Sequence, residues 1–458
     1  MKIAVINGSP KGKNSITLQT VKYLSLIHPE HEFNVLNAAQ IIKLLEKDFT
    51  RAEEILSPCE AVIFSYPVYT FLAPYGLHRF FELLSESGID LSGKYATQIS
   101  TSKHFYDVTA ARYVEDNIYD LGMRYVSGLL ADMDDLLTDR GRVECEKFFE
   151  YFLYSMKMGL DDKRRVPMAR DYSPAPVTIP VEEAPKCEKD KDVVIVTDET
   201  DKNSSLYRMI DSFRMKLGYS TRIVNISEYN LLGGCIGCFS CAVSGKCVYP
   251  DGFDKFLREE IQSADAIIYA FTVRNHSMGS RFKMYDDRNF CNGHRTVTVG
   301  MPIGYLISGN YTSEENLRLV LEARASVGHN YLAGIATDEV SPDEEIDALV
   351  NKLTFAFSNN YVPPQNFLGV GGIKIFRDLI YEMRGMMRAD HKFYKKNGFY
   401  DFPQKRWGRS MAMYLVGFLL SNEKVLKKIK GKMNEGMLMP YTKLFKKKFG
   451  DSPEGGLK

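Results

Sequence analysis

The sequence predicts an α/β protein made of two tandem doubly wound parallel five-stranded sheets followed by a C-terminal helical extension. Three observations carry that prediction. Short apolar runs alternate with helix-like stretches through residues 1–130; the same order of runs restarts after a segment rich in proline and charge; and the end of the chain changes to apolar residues at helical spacing with basic residues between them. The expected divisions are a first α/β domain over 1–162, a linker over 163–190, a second α/β domain over 191–360 and a basic helical extension over 361–458.

The first five strands read KIAVING, EFNVLN, AVIFSYPVY, YATQIST and RYVSGLL. The segment DKRRVPMARDYSPAPVTIPVEEAPKCEKD, opening at residue 162, has no sustained period and reads as an ordered or semi-rigid linker. The second set reads DVVIVTD, STRIVNI, ADAIIYAFTV, GMPIGYLISG and NYLAGIAT. This is an internal duplication. Its clearest traces are LGMRYVSGLLAD (121–132) against VGHNYLAGIATD (327–338), and PVYTFLAPYGLHRFFE (67–82) against TVRNHSMGSRFKMYDD (272–287). In the extension, KIFRDLIYEMRGMMRADHKFYKK (374–396) and EKVLKKIKGKM (423–433) read as helices, and the aromatic stretch 394–408 reads as a docking or covering segment.

Composition narrows the function classes. With 458 residues, 45% hydrophobic and 26% charged, the chain is of ordinary globular character. Eight cysteines are too few for a disulfide scaffold, and half of them sit in one cluster, so a reducing cytoplasmic compartment is expected. MKIAVING runs directly into a strand rather than a signal peptide. No apolar run reaches the roughly 18 residues a span needs; the longest candidate is MAMYLVGFLL at 411–420. Residues 405–458 hold 13 Lys and Arg against 4 Asp and Glu, whereas residues 1–404 hold 46 against 54. The tail is therefore a distinct basic module, suited to packing on the domains or to peripheral contact with an anionic surface. Nothing points to nucleic acid, and no hydrolytic triad or zinc-protease motif is present.

The chemistry concentrates in loops after strands. GSPKGKNSITLQ (8–19) follows the first strand and opens a helix, with Gly8 allowing a tight turn and Ser9, Asn14, Ser15 and Thr17 supplying polar groups at the helix start. That is an anion site, and it is neither a Walker loop nor a dinucleotide fingerprint. At the switch point of such a sheet it suits the monophosphate of FMN. Two more loops leave the same edge: PVYTFLAPYG (67–76), with Pro67, Val68, Tyr69, Thr70 and Phe71, and STSKHFYD (100–107), with Thr101, Ser102, Lys103 and His104. The second half carries TDETDKNS (197–204), in which Asp198, Glu199 and Asp201 would repel a phosphate. It also carries GGCIGCFSCAVSGKC, placing Cys235, Cys238, Cys241 and Cys247 at C-x2-C-x2-C-x5-C. This spacing suits a 4Fe-4S cluster; structural zinc or a dithiol switch are the alternatives. Cys59, Cys145, Cys187 and Cys291 show no ligand spacing.

These three motifs resemble the NADPH-dependent FMN reductase superfamily and its iron-sulfur flavoprotein branch, of flavodoxin-like fold. The resemblance spans about residues 1–345. It implies an FMN phosphate on Ser9, Asn14, Ser15 and Thr17, an isoalloxazine ring flanked by residues 67–71 and 101–104, and a cluster on the four cysteines. It further implies an NAD(P)H-dependent flavin oxidoreductase passing electrons to a small-molecule or protein redox partner, with homo-oligomerisation open. A cluster-free NAD(P)H:quinone or flavin reductase, and a non-catalytic redox sensor or electron carrier, are the other readings.

Overall fold

The computed structural model describes residues 1–164, 171–187, 190–422, 424 and 433–450. Residues Met1–Lys396 form one compact unit and Asn397–Lys458 another.

The first sheet contains β1 (Lys2–Asn7), β2 (Glu32–Leu36), β3 (Ala61–Pro67), β4 (Tyr95–Ser102), β5 (Arg124–Tyr125) and β6 (Leu129–Asp132). All pairings are parallel in the order β2-β1-β3-β4-β5, with β6 also on β4. The helices are α1 (Ile16–Ile27), α2 (Ile42–Leu45), α3 (Thr50–Leu56), α4 (Tyr75–Ser87), α5 (Asp107–Asp120) and α6 (Asp139–Met158). The strand order 2-1-3-4-5 is that of a flavodoxin-like sheet, whose ligand crevice lies where the order reverses, between β1 and β3. RYVSGLL does not run as one strand as expected. It breaks at Val126–Gly128, because Gly128 approaches Gln98 so closely that a Cβ would lie 2.4 Å from the Gln98 carbonyl oxygen.

The second sheet repeats the plan with β7 (Asp192–Thr197), β8 (Ser220–Asn225), β9 (Ala266–Thr272), β10 (Pro302–Ser308) and β11 (Tyr331–Thr337), in the order β8-β7-β9-β10-β11. Its helices are α7 (Ser205–Lys216), α8 (Ser240–Ser244), α9 (Phe253–Phe256), α10 (Gly279–Arg288), α11 (Glu315–Val327) and α12 (Pro342–Asn359). The β10–β11 register shifts between Leu332 and Gly334, the counterparts of Val126 and Gly128, so the duplication preserves even the irregularity of the last strand. Part of the linker binds the second domain: Ala175 N donates to the Asp338 carbonyl at 2.7 Å, and Ala184 N to that of Met215 at 2.7 Å.

The two domains share a core. Phe64, Phe80, Phe81 and Tyr113 from the first and Phe271, Phe282, Tyr285 and Leu317 from the second belong to one continuous buried cluster, while each sheet's outer face has its own. α4 packs on α10 and α5 on α11, pairing equivalent helices across a pseudo-twofold. The extension divides. α13 (Phe367–Glu382) packs on α11, and α14 (Arg388–Lys396) on α8. The second unit contains α15 (Trp407–Leu420) and α16 (Met433–Phe449). The helix expected over 423–433 falls almost entirely outside the described residues.

Candidate functional site

At the C-terminal edge of β1 the chain turns sharply into α1. Asn7 shapes this turn: its Nδ2 donates to the Gly12 carbonyl (3.0 Å) and to Asn37 Oδ1 (2.9 Å), and its Oδ1 accepts from Ser9 N (3.1 Å). Gly8 lies against Leu77, where a Cβ would be 2.9 Å from the Leu77 side chain. Ser15 caps α1, its Oγ accepting from Leu18 N. The amides of Ile16 and Thr17 therefore stand at the open N-terminal end of the helix, where an anion is favoured.

This loop forms one end of a cavity of about 470 Å³. Ser9, Lys11, Ser15 and Thr17 line it there, and Thr17 Oγ1 lies 2.6 Å from Thr101 Oγ1. Its flanks are the two other loops of the same sheet edge: Pro67, Val68, Tyr69, Thr70 and Phe71 on one side, Thr101, Ser102 and Lys103 with Phe105 on the other. Lys103 is engaged by Asp132 (2.8 Å) and Asp134 (2.7 Å). Asn14 and His104 do not line the cavity. Asn14 is exposed, and His104 faces solvent with Nδ1 2.8 Å from Asp107. Asn7 and Lys11 carry no signal in the loop motif of their own, although Lys11 lies inside the stretch 8–19; Phe105, an aromatic of the 100–107 loop, does line the cavity.

The opposite wall comes from the second domain. Cys235, Cys238, Cys241 and Cys247 all line the same cavity, and Cys291 joins them from the segment after α10. All five are free thiols. The cysteine loop meets the first domain at Gly237 (φ +62°), where a Cβ would lie 2.1 Å from the Tyr69 hydroxyl. Gly237 N donates to Cys235 Sγ at 3.4 Å, and the buried Arg288 guanidinium, paired with Asp251 at 2.8 Å, reaches Cys247 Sγ at 3.7 Å. Burial pushes the Cys235 and Cys291 thiols up to about 12. Among the described residues no three His, Cys, Asp or Glu side chains converge at metal-binding geometry. The four thiols share one wall of the cavity, with N–H groups of Gly237 and Arg288 directed at the sulfurs of Cys235 and Cys247.

Side chains of the second domain also fix the aromatic loop. Thr70 and Phe71 adopt left-handed backbone (φ +48° and +72°), a conformation unfavourable for both residue types. Lys283, fully buried, donates to the Tyr69 carbonyl (3.2 Å) and to Thr70 Oγ1 (2.6 Å), and pairs with Asp286 and Asp287. Arg324 donates to the Thr70 carbonyl (2.6 Å) and to Asp286 (2.7 Å). Two cations thus meet two carboxylates. His78, buried and stacked on Tyr113 at 3.9 Å, is held well below its ordinary pKa by desolvation and then by Lys283 and Arg324. The extension closes the far side. Phe376 of α13 lies 4.1 Å from Phe105, and the buried Asp390 of α14 accepts from His294 N at 3.1 Å.

The equivalent loop of the second domain carries its own carboxylates on its amides. Glu199 Oε1 accepts from the amides of Thr200 and Asp201 at 2.8 Å each, and Asp201 Oδ1 accepts from Asn203 N at 2.9 Å. Burial raises Asp198 to about 6. None of residues 198–204 lines the cavity. These carboxylates satisfy amides of the loop and set negative charge beside the start of α7, where a phosphate would be repelled.

The fit to FMN is good on the donor set alone: hydroxyls, a lysine and free amides at one end, and flat aromatic surface beside them. Residues 1–133 match the family model described as NADPH-dependent FMN reductase. An iron-sulfur flavoprotein of Archaeoglobus fulgidus is 28% identical over 204 residues, covering 42% of this chain and 92% of that protein. Among solved structures, general stress protein 14 of Treponema denticola in complex with FMN aligns at 14% identity and a TM-score of 0.27, over 34% of this chain and 99% of that one. An NAD(P)H:quinone oxidoreductase of Methanothermobacter marburgensis aligns at 14% identity and a TM-score of 0.27, over 36% and 98%. The first domain is thus similar to the NADPH-dependent FMN reductase family over residues 1–133.

Proposed function

We propose that the protein is a flavin-dependent oxidoreductase that holds one FMN in the first domain and a 4Fe-4S cluster on Cys235, Cys238, Cys241 and Cys247 of the second. The observation that carries this reading is that the anion loop, the aromatic loops and all four cysteines line a single cavity. Ser9, Ser15, Thr17 and the start of α1 hold the phosphate. Pro67–Phe71 and Thr101–Lys103 flank the ring, and Lys283 and Arg324 keep the aromatic loop in its strained form. When bound, FMN supplies the exchange between two-electron and one-electron chemistry, and a cluster carries single electrons. Tyr69, touching the cysteine loop at Gly237, shields the space between the two sites from water. The electron donor is NAD(P)H or another reductant, and the acceptor a small molecule or a redox protein.

The test is anaerobic. FMN-loaded protein is mixed with NADPH or NADH, and the flavin absorbance is followed, then compared with Cys238→Ser. Bleaching by a nicotinamide in both proteins, with one-electron acceptors reduced only by the parent, supports the reading. Equal reduction of one-electron acceptors by both favours the cluster-free reductase. Bound FMN that no nicotinamide bleaches favours a sensor or carrier.

A further inference from the structure

The second unit presents apolar surface that its own fold does not cover. α15, WGRSMAMYLVGFLL, is apolar around most of its circumference, yet Trp407 is 74% exposed, Tyr414 77%, Leu415 65% and Phe418 79%. An all-round apolar helix belongs in a core or a bilayer rather than in water. With 14 residues it is about 21 Å long, short of the roughly 30 Å of a hydrocarbon core. No helix among the described residues is long and apolar enough to cross a membrane. In α16, Leu438, Tyr441, Phe445 and Phe449 recur on one face, and Lys443, Lys446 and Lys447 lie away from it.

Charge selects the occupant. Residues 403–422 and 438–450 contain seven cations, three around the start of α15 and four on the C-terminal half of α16, and no Asp or Glu; Glu435 lies in the first turn of α16. Arg406 pairs with Asp401 at 2.7 Å. Apolar helices of sub-spanning length, bordered by cations and carrying Trp and Tyr, match a surface that is apolar below and anionic above. We propose that residues 403–422 and 438–450 dock the protein on the surface of an anionic lipid bilayer, the apolar faces of α15 and α16 entering the boundary between headgroups and acyl chains. Lys405, Arg409 and the α16 lysines engage lipid phosphates. A second copy of the same chain would bring like charge against like and is disfavoured.

Trp407 is the chain's single tryptophan and so reports its own environment. Full-length protein as purified is titrated with phosphatidylglycerol/phosphatidylcholine vesicles and with pure phosphatidylcholine vesicles, following tryptophan emission and flotation. The expected result is a blue shift and flotation with the anionic vesicles, at least tenfold weaker with the neutral ones and weakened by salt. Leu415→Asp with Phe418→Asp abolishes both signals, and Lys446→Glu with Lys447→Glu removes the preference for anionic lipid, each with the parent's far-ultraviolet dichroism. Unchanged emission and no flotation on either vesicle overturns the proposal. So does equal binding to both vesicles, or a lipid-free dimer that Leu415→Asp with Phe418→Asp dissociates.

Discussion

Glu82 and Asp287 occupy equivalent positions in α4 and α10, and each accepts a backbone N–H from the start of the other's helix. Ser280 N donates to Glu82 Oε1 at 2.6 Å, and Tyr75 N to Asp287 Oδ2 at 2.8 Å. Ser280 and Tyr75 are themselves equivalent in the duplicated segments. Each carboxylate satisfies an orphan amide and faces the positive end of a helix. With the shared core, this reciprocity makes the two α/β domains one folding unit.

Denaturant unfolding should therefore show one transition for the two domains, read by far-ultraviolet dichroism. Glu82→Gln and Asp287→Asn should each shift it downward by about 1–3 kcal/mol, the cost of weakening a buried charged acceptor. Separate transitions for the two domains would contradict the shared core.

The left-handed Thr70–Phe71 loop depends on second-domain charges. Asp286→Asn leaves Lys283 and Arg324 short of a counter-charge and should destabilise the fold by about 3–5 kcal/mol. Lys283→Met should weaken FMN binding about tenfold by releasing the loop, whereas Lys22→Met, on the solvent side of α1, should not. Titration of FMN fluorescence checks both.

Stability should fall at alkaline pH through His276. Its Nε2 lies 2.7 Å from Asp120 of the first domain and its Nδ1 3.0 Å from Glu314. Desolvation opposes protonation, but these hydrogen bonds outweigh it and hold the imidazole up to about 10. A group raised in the folded state stabilises fully below its unfolded pKa of about 6.5. That contribution disappears as pH rises through 10. Asp116, raised to about 6 by burial, acts only below this window. The melting temperature of the parent should thus drop between pH 7 and 10 more than that of His276→Asn.

The phosphate end makes a sharper distinction. Ser15→Ala removes a hydroxyl from the anion site and the cap of α1, the latter at a cost of about 1 kcal/mol. It should reduce affinity for FMN more than for riboflavin, measured by fluorescence quenching. Ser204→Ala, at the matching cap of the acid-blocked second loop, should leave FMN affinity unchanged.

Much of this was legible in the sequence because it is local. Period-2 and buried runs located the strands, and the repeat at 67–82 and 272–287 paired the helices that now face each other. The motifs at 8–19 and 235–247 marked two ends of the cavity. What escaped is non-local. GSRFKMYDDR carries the charges of a solvated helix, yet Lys283 and Asp287 are buried because, besides pairing with each other, they bond Tyr69, Thr70 and Tyr75 of the other domain. Cys291 has no ligand spacing and reaches the cysteine wall only through the fold. Gly128 broke the fifth strand through an approach to Gln98 that no spacing reveals. His104 sat in the right loop, but a left-handed turn (φ +53°) directs its ring outward to Asp107.

The most direct measurement is the content of FMN, iron and acid-labile sulfide per chain after anaerobic purification, repeated on Cys238→Ser. The account predicts one FMN and about four irons in the parent, with iron lost and FMN kept in the variant. Two FMN per chain would contradict the blocked second loop. FMN without iron or sulfide would contradict the cluster and leave Cys235, Cys238, Cys241 and Cys247 as a wall of thiols.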